Sequence, residues 1–206
     1  MIKNIVFDIG GVILHWNLNE MMSYFTSSEE DKKFIVDNIY NSPEWAIDGL
    51  IDIGYITQDD FVRNIQERTN HAKDELVADF IYNYYKLFHI KEDVVDIIKT
   101  LKDKGYNVYI LSNINKYVVD RINAEELLKI VDGYVLSYEV HEIKPHEPIY
   151  KELLNKYSLI PSETLFIDDM DANIETANKL GINGKTVERN KTEDIIDVLK
   201  NFNILD

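Results

Sequence analysis

Short apolar runs without helical period alternate with amphipathic stretches over most of the chain. Positions 5–7, 108–111, 134–136 and 164–167 read as strands, because apolar residues follow one another and the runs are too short for helices, and 184–187 reads as a last strand between two helices. Between and after them, 94–104, 124–130, 147–157, 174–180 and 193–202 carry helical spacing. Two of these helices have clear stops, Gly105 and Gly181, and Pro148 falls in the first turn of another. Strands that alternate with helices need crossover connections. The predicted fold is therefore α/β and Rossmann-like, a mainly parallel sheet covered by helices on both faces.

The pattern changes over 15–88, which is rich in aromatic residues and has helical spacing throughout. Thr57 and Asp60 fit a capping box opening the helix that carries Phe61 and Ile65. A second helix is expected over 74–87, with Leu76, Phe80, Tyr84 and Leu87 on one face. These features predict about four helices inserted after the first strand, with a core formed by 1–14 and 89–206.

Composition narrows the function without deciding it. The chain has 206 residues, 45% hydrophobic and 29% charged, as in an ordinary globular protein. A net charge of −15 opposes nucleic acid, and no basic stripe offsets it. No apolar run approaches the ~20 residues that span a bilayer. An acid follows the first apolar run too early for a secretory signal, so a cytoplasmic location is the expectation. With no cysteine, thiol nucleophiles and thiolate-bound zinc are excluded. Nothing in the sequence sets the oligomeric state.

Four islands supply candidate chemistry, three of them at strand ends: Asp8 in VFDIGGV, Ser112 in YILSN, Lys144 in EIKPHEP, and Asp168–Asp169 in LFIDDMDAN. In a parallel sheet, ligands bind beyond the carboxyl ends of the strands. The set combines a carboxylate nucleophile, a hydroxyl donor, a cation and an acidic pair, which suits metal-assisted phosphoryl transfer. Magnesium prefers hard oxygens, here Asp8, a backbone carbonyl near Gly10, and one carboxylate of the 168–169 pair. Ser112 and the Asn113 N–H would donate to phosphate, and Lys144 would offset its charge. Taken singly, each residue has a plainer reading as a cap, turn or surface group. Asp171 reads as the N-cap of the next helix, His15 as a loop histidine, and Trp45 as core.

On these motifs, in this order, the chain resembles the haloacid dehalogenase superfamily of hydrolases, over nearly its whole length. The resemblance implies that 15–88 is a cap over the site. It also implies that Asp8 is nucleophile and metal ligand, that Asp169 binds magnesium directly and Asp168 mainly through water, and that Ser112, Asn113 and Lys144 hold phosphate. Within the superfamily, the chain is most similar to bacterial phosphatases of small sugar phosphates, of the α-glucose-1-phosphate type, so a small phosphorylated metabolite is the expected partner. Most such phosphatases carry a second Asp two positions after the nucleophile as general acid. Gly10 stands there in this chain, which argues against a phosphomutase and favours leaving groups that need little protonation. Substrate specificity is expected near 45–49 and 54–55. Two alternatives stay open, a 2-haloacid dehalogenase using Asp8 without metal and a non-catalytic binder of phosphate ligands. A receiver domain is disfavoured, because its acids and lysine come in another order and it lacks the insertion.

Overall fold

The computed structural model describes residues 1–122 and 124–206. In chain order, β1 (Asn4–Phe7) and β2 (Leu14–His15) lead into α1 (Leu18–Phe25) and α2 (Glu29–Phe34), which continues as π-helix over Ile35–Tyr40. A second π-helical turn (Pro43–Ile47), α3 (Gln58–Arg68), α4 (Asp74–Asn83) and a 3₁₀ turn (Tyr84–Leu87) follow. The chain then runs through β3 (His89–Ile90), α5 (Glu92–Asp103), β4 (Asn107–Ser112), α6 (Lys116–Arg121), α7 (Glu125–Ile130) and β5 (Gly133–Leu136). It ends with α8 (Ser137–Val140), α9 (Glu147–Lys156), a 3₁₀ turn (Pro161–Glu163), β6 (Thr164–Asp168), α10 (Asp171–Lys179), β7 (Asn183–Thr186) and α11 (Thr192–Asn201).

Five strands form one parallel sheet in the order β5-β4-β1-β6-β7. The strand period of two explains why both faces are covered. Ile5, Phe7, Val108, Ile110, Leu165 and Ile167 point to one face, where Ile98 and Leu101 of α5 and Ile195 and Leu199 of α11 pack. Val6, Tyr109, Leu111 and Phe166 point to the other, against Ile149, Tyr150 and Leu153 of α9 and Ile174 and Ala177 of α10. Each such buried aliphatic or aromatic side chain stabilises the fold by roughly 1.5–3 kcal/mol. The α/β expectation is met, and the order places β1 at the centre, where connections diverge to either side.

The helices α1–α4 lie between β2 and β3, which pair antiparallel as Leu14↔Ile90 and His15↔His89. The sequence did not reveal this ribbon, because two-residue strands are too short to show alternation. The Thr57–Asp60 capping box is present and opens α3. In α4 the buried residues are Val77, Phe80 and Ile81, followed by Tyr84, so the face is rotated from the expected one. Leu87 falls out of phase because the helix tightens to 3₁₀ after Asn83. Asp171 is the first residue of α10, not its cap, and accepts a hydrogen bond from Thr186 Oγ1 at 2.7 Å. No described helix is long and apolar enough to cross a membrane.

Candidate active site

Strand register brings the first two acids together. Phe7 pairs with Ile167 on β6, so Asp8 and Asp168, each one residue further on, emerge side by side. The Asp8 N–H donates to the Ile167 carbonyl at 2.9 Å. Adjacent strands are only ~4.8 Å apart, so two carboxylates here repel unless a cation lies between them. Lys144 is that cation. Its Nζ donates to Asp8 Oδ1 at 2.8 Å, Asp168 Oδ2 at 2.6 Å and the Leu111 carbonyl at 3.0 Å, with only 1% of the side chain exposed.

Asn113 holds Lys144 in place through its whole amide. Its Nδ2 donates to the Lys144 carbonyl and its Oδ1 accepts from the Lys144 N–H, both at 2.8 Å. Asp168 is equally committed. Its Oδ1 accepts from the Met170 N–H and Asn173 Nδ2, and its Oδ2 from Lys144 and Asn173 Nδ2. Asp169 takes the Arg189 Nε–H on Oδ2 at 2.5 Å. The Arg189 guanidinium also lies over the Trp16 ring, 4.5 Å from its centroid.

Carboxylate oxygens of Asp8, Asp168 and Asp169 come within 4.8 Å of one another. The donors are all hard oxygens, the kind a small divalent cation prefers. Asp8 and Asp169 each keep one oxygen without a protein donor among the described residues, as does the Gly10 carbonyl. Both Asp168 oxygens, by contrast, already take two protein donors each. Gly11 makes room for this cluster. It has φ +75°, and a Cβ there would sit 2.7 Å from Asp169 Oδ2.

Electrostatics follow from burial. Burial pushes the Asp8 carboxyl up to about 7, with Asp168 and Asp169 adding to the rise and Lys144 opposing it. Burial alone would lower the Lys144 ammonium, but Asp168 and Asp8 outweigh it and hold it above its usual range. Asp169 is raised by burial against the pull of Arg189. Ser112 Oγ is fully buried and has no hydrogen-bond partner among the described residues. An unmade hydrogen bond of this kind costs about 1–3 kcal/mol, and an acceptor brought by a ligand would recover it.

Above these residues is a cavity of about 480 Å³. Gly10, Asn113, Lys144 and Asp169 line it on the core side; Asp8 and Asp168 are buried against Lys144, and Ser112 is buried as well. The helical insertion supplies the opposite wall, including Tyr40, Trp45 and Tyr84. Trp45 is therefore both core, packed 4.6 Å from the Tyr84 ring, and cavity lining. Of the expected specificity segments, Trp45, Ala46 and Asp48 line the cavity, whereas Gly54 packs on Tyr138 and Tyr55 is exposed. His15 stacks on His89 outside the cavity lining.

Sequence reasoning missed Asn173, Arg189, Asn115 and Asp52. Arg189 sits just past the end of β7, a place where the strand-end rule could have pointed. Asn115 caps α6 through Val118 N–H, and its place in NINK carried the usual cap signal. Asp52 had no local signal, because its position depends on how the insertion lies on the core.

The haloacid dehalogenase-like hydrolase family matches residues 2–181. A D-ribitol-5-phosphate phosphatase of Bacteroides thetaiotaomicron is 30% identical over 191 residues, spanning 88% of this chain and 89% of that protein. Among solved structures, a HAD-like family hydrolase from Porphyromonas gingivalis superposes with a TM-score of 0.78 at 26% identity, covering 100% of both chains. A HAD family enzyme from Bacteroides thetaiotaomicron, in complex with magnesium and inorganic phosphate, gives 0.70 at 26% identity over 93% of this chain and 96% of that one. With the buried acids, the lysine between them and the strand-end geometry in place, the chain belongs to the haloacid dehalogenase-like hydrolase family.

Proposed function

We propose that this hydrolase cleaves small phosphate monoesters of the sugar-phosphate class, with magnesium, through a phosphoryl group carried on Asp8. The observation that carries the reading is the convergence of the Asp8, Asp168 and Asp169 oxygens within 4.8 Å, beside a buried lysine. Asp8 and Asp169, with the Gly10 carbonyl, are the ligands a magnesium ion would use directly, and Asp168 would hold one of its waters. When bound, magnesium neutralises charge on the phosphoryl oxygens and on the clustered acids. Lys144 keeps Asp8 oriented and ionised for attack on phosphorus. Ser112 Oγ and the Asn113 N–H donate to nonbridging oxygens. Residues 15–88 act as a cap that excludes water and admits substrate by moving.

The cavity supports the substrate class. Aromatic rings of the insertion face Asp48, Asp52, Asn115 and His146, a mixture suited to a small polyhydroxylated body. The similarity to a ribitol-phosphate phosphatase agrees with that size and polarity.

The direct test is phosphate release from a panel of phosphorylated metabolites with magnesium, beside Asp8→Asn as blank. Turnover of one or more sugar phosphates that stops with EDTA is the expected result. Metal-independent halide release from a 2-haloacid would favour the dehalogenase alternative. Ligand binding without turnover, p-nitrophenyl phosphate included, would favour the non-catalytic one.

Magnesium binding should also depend on pH. A carboxyl held near 7 keeps its proton in mildly acidic solution, and a cation must displace it. Magnesium affinity should therefore rise with pH, by at most about tenfold per unit for one displaced proton, and level off above about pH 7. Calorimetric titrations in buffers of different ionisation enthalpy would show the released proton.

A further inference from the structure

We propose that Asp52, carried by the helical insertion, donates the proton to the leaving oxygen and then activates the attacking water, in the role that Gly10 has no side chain to fill. The proposal rests on the phosphatase reading above.

The geometry fixes Asp52 across the seam between insertion and core. Its Oδ1 accepts from Asn115 Nδ2 at 2.8 Å, and its backbone carbonyl accepts from Ser137 Oγ at 2.6 Å. Its neighbours Ile51 and Ile53 are buried. Asn115 is itself held at both ends, donating to the Tyr84 hydroxyl at 3.0 Å and capping α6 through Val118 N–H at 3.1 Å. Asn115 lies three residues after Ser112, so Asp52 is anchored to the same loop that presents the phosphate-binding hydroxyl. Asp52 Oδ2 takes no donor among the described residues, and Asp52 lines the cavity that Gly10 and Lys144 also line.

The other acids of the cavity are less suited. Asp48 is exposed and no hydrogen bond fixes its side chain among the described residues. Tyr84 is raised by burial far above a useful donor range. Asp169 belongs to the acidic cluster and is bound by Arg189. Burial pushes Asp52 up to about 6, against the Asn115 hydrogen bond, so both protonation states are accessible near neutral pH. The space beside Gly10 is open, since a Cβ there would meet nothing within 4 Å. Gly10 and Asp52 line the same cavity, where the ester would bind.

The balance is simple. An Asp8 oxygen bonds to phosphorus, and the bond from phosphorus to the ester oxygen breaks with its electron pair going to that oxygen. The proton on Asp52 Oδ2 transfers there, releasing the alcohol and leaving Asp52 as carboxylate. Water then enters along the path the alcohol left. It gives one proton to Asp52 as its oxygen bonds to phosphorus, and the electron pair of the phosphorus–Asp8 bond returns to Asp8. Inorganic phosphate leaves, and both acids are restored.

The test compares wild type, Asp52→Asn, Asp52→Glu, and Asp52→Asn combined with Gly10→Asp on an alkyl sugar phosphate and on p-nitrophenyl phosphate, with magnesium. Asn in place of Asp52 keeps the acceptor for Asn115, so the seam should hold. Asp52→Asn should lower kcat on the sugar phosphate roughly 10²-fold, with KM little changed. On p-nitrophenyl phosphate, whose leaving group needs no protonation, the first-turnover release of nitrophenolate should slow by about threefold or less, while steady turnover falls because hydrolysis of the phosphoryl intermediate loses its base. On the sugar phosphate the first turnover itself should slow. Asp52→Glu should recover part of both losses, and Gly10→Asp should rescue Asp52→Asn. First-turnover losses equal on both substrates, a change confined to KM, or no loss would overturn the assignment. If Asp52→Asn unfolds by circular dichroism, the Asp52→Glu comparison decides, and there too a first-turnover loss equal on both substrates counts against it. A wild type inactive on both substrates would sink the phosphatase reading itself, a distinct outcome.

Discussion

Asp8→Asn should lower turnover by on the order of 10⁴-fold or more while leaving the fold intact. The two side chains have nearly the same volume, and an amide oxygen can still accept from Lys144. What is lost is the nucleophile, because a neutral amide does not attack phosphorus at a useful rate. The loss should fall on kcat, and it should be equal for alkyl and nitrophenyl esters, because attack on phosphorus is common to both. Asp52→Asn should differ, because its effect on the first turnover should depend on the leaving group. Steady-state kinetics on the two substrate kinds, with a melting curve for each protein, is the measurement. A variant retaining a tenth of wild-type activity would show that Asp8 does not carry the reaction.

Lys144→Met should have the second large effect, on stability as well as rate. Lys144 is the common partner of Asp8 and Asp168, and all three are buried. Removing the cation leaves two carboxylates with Asp169 close by and no compensating charge, at a cost of about 3–5 kcal/mol. For a chain of this size the melting temperature should fall by roughly 10 °C or more. The sign of the pH dependence follows. Without Lys144 the carboxyl groups take up protons more readily in the folded state than in the unfolded one. Asp8 already holds its proton up to about pH 7 in the wild type and should hold it to higher pH in the variant, so the gap to wild type should narrow as pH falls toward about 7. Magnesium should recover part of the stability, because it also offsets the acids, but not the activity. Thermal denaturation across pH, with and without magnesium, measures all of this. A gap that widens in acid would mean Lys144 is not neutralising these carboxylates.

Much of the architecture was legible because strands and helices in this chain carry clean periods. The buried runs around Ile5, Val108 and Thr164 became β1, β4 and β6, and the rule that ligands bind beyond parallel strand ends then gathered Asp8, Ser112 and Asp168. Register completed the step from shared edge to contact, since Phe7 opposite Ile167 leaves no other place for the two acids. The features that escaped depend on long-range packing. Leu14–His15 finds its partner 75 residues away at His89–Ile90, and neither segment alternates long enough to be seen. The buried face of α4 was set by Phe25 of α1 against Phe80 and by the 3₁₀ turn that follows, not by apolar spacing alone. Asp52 was out of reach for the same reason, and so were the contacts of Arg189, although its place past β7 was a hint. Arg189 is bound by Asp169 and stacked on Trp16, residues 20 and 173 positions away. Asn173, in the first turn after the acidic pair, could have been read as satisfying the inner acid, as Asn115 could as a cap.

The central claim is that phosphorus becomes bonded to the side chain at position 8. Acid quenching during steady turnover, followed by borohydride reduction, converts an aspartyl phosphate to homoserine, which peptide mass spectrometry locates. Homoserine at position 8, present with substrate and magnesium and absent in Asp8→Asn, is the expected result. Turnover at the normal rate with position 8 unmodified, or with the label on a different acid, would contradict it.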